Sequence, residues 1–318
     1  MLIVHGSDDI PAAARGAVLA IGNFDGVHRG HQALLKVARE EARRRRCPAG
    51  VILFEPHPRE FFQPDRPHFR LTPLPLKLEL LARFGMDVAV VLAFDAALAA
   101  LSAEDFTARV LAERLAASHI VVGYDFRFGR GRAGDPDTLR REGERRGFGV
   151  TVVAQVAEAG EVFSSGAVRA ELAQGDVQGA AQMLGWWWRV AGTVVGGAKR
   201  GTGLGFPTAN LLLPPGTALA HGIYAVRVHF DGRVHAGAAY LGTRPTFDDG
   251  APVLEVFLLD FDGDLYGRDI AVEFIDFIRP DRRFDSVEAL RSQMEEDCQR
   301  ARALLAAAPV EPGAADGK

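Results

Sequence analysis

The feature that most constrains this chain is a change of pattern near residue 185. Before it, short continuously apolar runs alternate with long helical patterns; after it, polar and apolar residues alternate and are broken by glycine-containing turns. Val18-Leu19-Ala20-Ile21, Val51-Ile52-Leu53-Phe54, Val88 to Leu92, Ile120-Val121-Val122 and Val150 to Val153 lack the two-residue period of a half-exposed strand. They are therefore expected to be strands covered on both faces, the rhythm of a parallel α/β sheet. Gln32 to Arg46, Pro75 to Phe84 and Ala103 to Ala117 carry apolar residues near three- and four-residue spacing and are expected to be helices.

Beyond Trp188, Tyr224 to Phe230, Asp231-Gly232 and Arg233 to Tyr240 read as a hairpin closed by a two-residue turn. Phe257 to Phe261 and Ile270 to Phe274, joined through Asp262-Gly263, read as a second hairpin with a longer loop. This half is expected to be a small antiparallel barrel or sandwich. A closing helix from Ser286 to about Ala307 follows, with Asp285 as N-cap and Glu288 three residues on. Pro309 to Lys318 is expected to fray. Trp186-Trp187-Trp188, at the change of pattern, reads mainly as packing.

At 318 residues the chain exceeds what one core usually organises, so two domains are expected. A net charge of -4 supplies no cationic field of the kind that coats nucleic acid. Cys47 and Cys298 are too few and too distant for a disulfide framework or a cysteine-based zinc site, which fits a reducing cytoplasm. The N-terminal residues lack a basic segment followed by an apolar one, and nowhere do about 18 apolar residues run together, so neither secretion nor membrane insertion is expected. The composition leaves a homo-oligomer open.

The most informative local stretch is Gly22-Asn23-Phe24-Asp25-Gly26-Val27-His28-Arg29-Gly30-His31, between an apolar strand and a helix. At such a junction, unpaired backbone N–H groups and the helix dipole attract anions, and glycines let the backbone approach closely. Two histidines three residues apart can face one phosphate chain. Spacing alone leaves two other readings open: a solvated pair of histidines, or two ligands of a metal whose third ligand is not evident.

Gly22 to His31 closely resembles the GxFDxxHxGH signature of the nucleotidyltransferase superfamily. Phe54-Glu55-Pro56-His57-Pro58-Arg59-Glu60 and Val122-Gly123-Tyr124-Asp125-Phe126-Arg127-Phe128-Gly129, with Arg132 and Gly134-Asp135, narrow the resemblance to the bacterial bifunctional FAD synthetases. It implies that His28 and His31 hold ATP phosphates, helped by Gly22, Phe24, Asp25, Gly26 and Gly30. Ser164, Ser165 and Arg169 then match the SSTxxR motif that steadies the triphosphate, with Gly166 where the family usually has threonine. Asp125 and Phe128 are implied as flavin contacts. The implied chemistry is attack of the FMN phosphate on the α-phosphorus of ATP with loss of pyrophosphate.

Gly129-Arg130-Gly131-Arg132-Ala133-Gly134 also matches G-x-G-x-x-G, the dinucleotide fingerprint. The fingerprint should begin at a strand end, whereas several residues separate Val122 from Gly129 and two arginines lie inside it, so this reading is set aside. Arg140, Arg141, Arg145 and Arg146 are read as an exposed helix face.

The second constellation is the glycine-rich run from Gly192 to Asn210. Its backbone could cradle a phosphate, while Thr208 and Asn210 add oxygens suited to a hard cation such as Mg2+. A flexible turn between barrel strands is the plainer alternative. Gly205-Phe206-Pro207-Thr208-Ala209-Asn210 resembles the GxPTAN signature of riboflavin kinases, and Pro245-Thr246-Phe247, Glu255, Asp260 to Gly267 and Ile278-Arg279-Pro280 follow in the family's order. The resemblance implies Gly205, Thr208 and Asn210 at the nucleotide and magnesium, Glu255 as the base that activates the riboflavin hydroxyl, and Arg279 at the flavin. Gly196, Thr202 and Tyr240 stand where the family commonly has histidine, arginine and asparagine.

The resemblance covers nearly the whole chain. It implies an α/β nucleotidyltransferase domain with a Rossmann-like parallel sheet over 1–184, and a small antiparallel β-barrel riboflavin-kinase domain with its C-terminal helix over 185–308, then a flexible tail over 309–318. The implied activities are phosphorylation of riboflavin to FMN and adenylylation of FMN to FAD, each using ATP and Mg2+. The rivals are an enzyme that keeps one activity and a non-catalytic flavin- or nucleotide-binding regulator.

Overall fold

The computed structural model describes residues 1–6, 10–158, 161–196, 208–214, 216–243 and 252–312. The chain divides into two compact units, Met1–Ser164 and Ser165–Lys318.

The first unit is built on a six-stranded sheet. Its strands are β1 (Leu2–His5), β2 (Val18–Ile21), β3 (Ala49–Glu55), β4 (Val88–Ala93), β5 (His119–Gly123) and β6 (Gly149–Val153). They are parallel throughout, in the order β1-β4-β3-β2-β5-β6. All four residues of β2 are buried, as expected of a strand covered on both faces. The helices are α1 (Arg29–Arg45), α2 (Pro58–Phe62), α3 (Leu74–Arg83), α4 (Ala96–Ala100), α5 (Ala103–Asp105, continued as a π-helix over Phe106–Arg114) and α6 (Pro136–Arg146). A two-stranded hairpin of β7 (Ala157–Glu158) and β8 (Glu161–Val162) ends the unit.

Three details depart from expectation. β1 adds an edge strand that the sequence did not signal, because four residues beside a chain start carry too little periodicity. β6 is half-buried along its length, because it is the opposite edge and has a neighbour on one side only. The expected helix over Ala103–Ala117 is π-helical for most of its length, which apolar spacing cannot distinguish from a regular helix.

The second unit opens with α7 (Ser165–Gln174) and α8 (Val177–Leu184). It continues through β9 (Arg189–Thr193), β10 (Ala209–Leu212), β11 (Gly222–Phe230), β12 (Arg233–Thr243), β13 (Pro252–Leu258) and β14 (Asp269–Arg279), and closes with α9 (Val287–Ala307). The strands run antiparallel in the order β10-β13-β12-β11-β14-β9, and a bridge between Val195 and Asn210 joins the two ends into a nearly closed barrel. Tyr224, Val226, Val228, Leu254, Val256 and Phe274 are buried, while Ala225, Ala238 and Leu259 pack with Ala301 of α9.

The hairpin of β11 and β12 forms as expected, through a turn in which Asp231 and Gly232 both have positive φ (48° and 71°). The second expected hairpin does not form. β13 pairs with β10 and β12, and β14 pairs with β11 and β9. A two-residue turn forces its strands together, whereas the longer Leu259–Arg268 connection lets the β11–β12 hairpin sit between its two strands. The closing helix begins one residue later than expected: Ser286 is the N-cap and its Oγ accepts from Ala289 N at 3.1 Å, in place of Asp285.

At the junction with the expected tail, Arg227 donates to the carbonyls of Ala308 and Pro309 at 2.9 and 3.0 Å, and Trp187 Nε1 donates to Pro309 O at 3.3 Å. Residues 313–318 lie outside the described residues. All three tryptophans are buried, and Trp188 stacks on Phe274 with ring centroids 5.2 Å apart.

Candidate active sites

In the first unit the chain leaves β2 toward β3 and β4 on one side, then returns to β5 and β6 on the other. The crevice at the carboxyl ends of β2 and β5 is thus the switch point where open α/β sheets bind ligands. The loop Gly22 to His28 leaves β2 there and delivers His28 as the N-cap of α1.

The loop is held by residues turned inward. Phe24 and Asp25 are buried; Asp25 Oδ1 accepts from Thr72 N at 3.1 Å and from Thr72 Oγ1 at 3.3 Å. Gly26 N donates to Thr72 Oγ1 at 2.9 Å, and Gln32 Nε2 donates to Val27 O at 2.8 Å. Thr72 was not singled out from sequence, because a threonine before a helix carries no signal of a partner in another loop.

His28 and His31 stack with ring centroids 3.7 Å apart. His31 N donates to His28 Nδ1 at 3.4 Å, which leaves the proton of the neutral His28 imidazole on Nε2. Burial lowers the pKa of His28 to about 4, opposed by the Asp25 carboxylate. Burial, reinforced by His28 and Lys77, holds His31 well below its ordinary range. Both rings are therefore neutral N–H donors near neutral pH. His31 Nδ1 is buried without a hydrogen-bond partner among the described residues, an atom that an arriving phosphate could satisfy. Gly30 permits the close packing: a Cβ there would lie 3.0 Å from the His28 ring and 3.1 Å from Phe163 O.

A cavity of about 820 Å³ opens beside this loop at the carboxyl ends of β2 to β5. Phe54, Phe62, Phe94, Phe106, Phe126 and Phe128 supply a flat apolar lining, while Asp125, Arg59 and Arg132 supply charge. The predicted Asp125 and Phe128 both line it, and Phe126 stacks on Phe128 at 5.4 Å. Phe94 and Phe106, from other elements, were not predicted to belong here. His57, on the same wall, is pushed down to about 4 by burial and by neighbouring His68. Behind it, Arg70 pairs with Glu55 at 2.7 Å and with Glu60. Gly129 to Gly134 contains a short 3-10 turn after β5 and not a strand-to-helix junction, which removes the dinucleotide fingerprint.

Ser165 and Arg169 lie on α7 in the second unit, where Arg169 Nη1 donates to Ser165 O at 3.1 Å; Ser164 precedes that helix.

The barrel has its own cavity, about 470 Å³, between the outer face of β12 and β13 and helix α9. Thr208, Glu255 and Arg279, predicted from three separate segments, all line it. Asn210 is buried directly opposite Glu255 in the β10–β13 pairing, and its Nδ2 donates to Thr208 O at 3.3 Å. Tyr240, opposite Glu255 on the other side, donates to Asp281 Oδ2 at 3.0 Å. Phe257, Phe284, Leu290, Met294 and Cys298 complete an apolar floor, and burial raises the Cys298 thiol pKa to about 11. Gly205, Thr202 and Pro245-Thr246-Phe247 lie outside the described residues. No cluster of three or more His, Cys, Asp or Glu side chains suited to a metal occurs among the described residues. No described helix is long and apolar enough to cross a membrane.

Comparison with known proteins matches the two halves of the chain to two different families. The FAD synthetase family model matches residues 10–167 and the riboflavin kinase family model matches residues 184–305. Similar curated proteins include the bifunctional riboflavin kinase/FMN adenylyltransferase of Pseudomonas fluorescens, 43% identical over 96% of this chain and 98% of its own length. That of Escherichia coli K12 is 42% identical over 93% of this chain and 96% of its own. A crystal structure described as a macrolide-efflux protein from Streptococcus pneumoniae superposes with a TM-score of 0.84 and 29% identity, covering 95% of this chain and 99% of that one.

Proposed function

Since the chain belongs to the bifunctional riboflavin kinase/FMN adenylyltransferase family, and so makes FMN from riboflavin and FAD from FMN, we propose that each reaction runs at one of the two cavities. The observation that supports this is convergence. Residues scattered along the sequence gather at two separate cavities, one beside the His28–His31 loop and one beside Glu255.

In FAD formation the flavin ring lies among the phenylalanines of the larger cavity, near Asp125 and Phe128. ATP phosphates meet the start of α1, where backbone N–H groups and the neutral rings of His28 and His31 donate hydrogen bonds as charge develops on the α-phosphoryl group. Gly22, Gly26 and Gly30 let the backbone approach, while Phe24 and Asp25 fix the loop from behind. By family resemblance, Ser164, Ser165 and Arg169 steady the triphosphate. On this reading 1–184 is the adenylyltransferase domain, although by contacts α7 and α8 group with the second unit. Catalysis here is positioning and charge stabilisation; no covalent intermediate is required.

In FMN formation Glu255 takes the proton of the terminal ribityl hydroxyl as that oxygen attacks the γ-phosphorus of ATP and ADP leaves. Arg279 contacts the flavin, and Gly205 belongs to the phosphate-binding loop. Mg2+ fits the donor set, since the Thr208 hydroxyl and the Asn210 amide oxygen are hard neutral donors, and this ion takes most of its other ligands from phosphates and water. Bound there, it would neutralise phosphate charge. We further assign the enzyme to the cytoplasm, with flavins and ATP as its partners.

Chromatography of flavins after incubation with riboflavin, ATP and Mg2+, with a parallel reaction from FMN, tests the reading. FMN followed by FAD is expected. Product from one reaction only would mean that Gly166, or Gly196 and Thr202, has disabled the other half.

A further inference from the structure

Arg279 ends β14 and meets α9 through an ion pair with Asp297. Arg279 Nε donates to Asp297 Oδ1 at 2.9 Å, Nη2 donates to Oδ2 at 2.7 Å, and Nη1 donates to Pro280 O at 3.0 Å. Gln293, one turn earlier in α9, donates to Asp297 Oδ1 at 3.0 Å. Asp297 is 5% exposed, and both it and Arg279 line the barrel cavity with Thr208 and Glu255.

Packing alone does not require this pair. Helix α9 already buries Ala301 against Ala225, Ala238 and Leu259, and desolvating two charges costs free energy that apolar residues of similar size would avoid. The pair supplies direction. A guanidinium has five N–H groups in one plane; Asp297 and Pro280 take three of them. The remaining two, one on each terminal nitrogen, are then fixed in orientation. A flavin offers carbonyl oxygens and ring nitrogens along its pyrimidine edge, acceptors that suit such a fork.

We propose that Asp297 is a positioning residue of the riboflavin-phosphorylating site, acting by fixing the Arg279 guanidinium. This rests on the reading of Arg279 as a flavin contact. The test compares Asp297→Asn, Asp297→Glu and Arg279→Lys in the full chain, reading KM for riboflavin, kcat, melting temperature and FAD formation from FMN.

Asp297→Asn keeps the shape but loses the charge, and is expected to raise KM for riboflavin about tenfold while kcat changes little. Asp297→Glu keeps the charge but displaces the carboxylate by one methylene. It is expected to hold the melting temperature and still raise KM, which makes it informative should Asp297→Asn fold poorly. Return of Asp297→Glu to the original KM along with its melting temperature would reduce Asp297 to a structural brace and overturn the proposal. A raised KM in Arg279→Lys with none in Asp297→Asn would also overturn it, leaving the flavin contact standing. An unchanged KM in all three variants would overturn the flavin contact itself.

Discussion

Asn210 and Glu255 stand directly opposite each other across β10 and β13, and Tyr240 flanks Glu255 on β12. Directly paired residues share a face with Cβ atoms about 5 Å apart. The pairing therefore puts the amide expected to hold the cation beside the carboxylate expected to take the proton, before any substrate arrives.

Glu255→Gln preserves this row but cannot accept the hydroxyl proton. FMN formation from riboflavin is expected to fall by roughly 10²–10⁴-fold, the usual contribution of a general base. FAD formation from supplied FMN should be unchanged. Equal losses in both reactions would contradict the two-site assignment.

His28→Ala should do the reverse. It removes an N–H donor and the N-cap of α1, so FAD formation should drop by about 10²-fold or more while FMN still accumulates. Flavin chromatography of one reaction mixture reads both.

Gly30→Ala places a methyl group only 3.0 Å from the His28 ring and 3.1 Å from the Phe163 carbonyl oxygen. The ring must shift, and a raised KM for ATP in adenylylation is expected, with riboflavin phosphorylation unaltered. A wild-type KM would show that the stacked His28–His31 arrangement is not what ATP needs.

Thr72→Val keeps the shape of a fully buried side chain but removes the hydroxyl that accepts from Gly26 N and donates to Asp25. A loss of about 1–3 kcal/mol in the stability of the first unit is expected from losing these two buried hydrogen bonds. Denaturant unfolding measures it, and adenylylation should weaken in parallel.

The pH dependence follows from the neutral histidines. His28 holds a pKa of about 4 when folded, against 6.5 ordinarily. Above 6.5 neither state carries the proton, so this group leaves stability unaffected. Between 6.5 and about 4 the unfolded chain binds a proton that the folded chain refuses. Stability should therefore fall as pH is lowered through that window, by on the order of 3 kcal/mol at most from His28. His57 acts in the same direction. Thermal unfolding from pH 7.5 to 4.5 is the measurement, and His28→Asn should flatten part of the slope; an unchanged slope would rule out His28 as a source.

Much of the architecture was legible because it depends on local chemistry. The apolar runs became parallel strands, Asp231-Gly232 closed its hairpin, and Gly22 to His31 fell at a strand-to-helix junction. The second expected hairpin failed because alternation says that β13 and β14 are strands but not which neighbour each takes. The N-cap was misplaced by one residue, since Asp285 and Ser286 are both good caps and only backbone geometry chooses between them.

By itself the sequence determined most strand and helix types and the residues able to do phosphate and proton chemistry, because periodicity and side-chain functional groups are written locally; the expected division at 184 was not, since by contacts α7 and α8 group with the second unit. Tertiary structure alone decided which distant residues meet. Thr72 under the Asp25 loop, six phenylalanines around one cavity, Asn210 opposite Glu255, and Asp297 against Arg279 all depend on strand order and helix placement. Those contacts bury apolar surface and pair buried polar groups between segments far apart in the chain, and no local pattern encodes such long-range pairings.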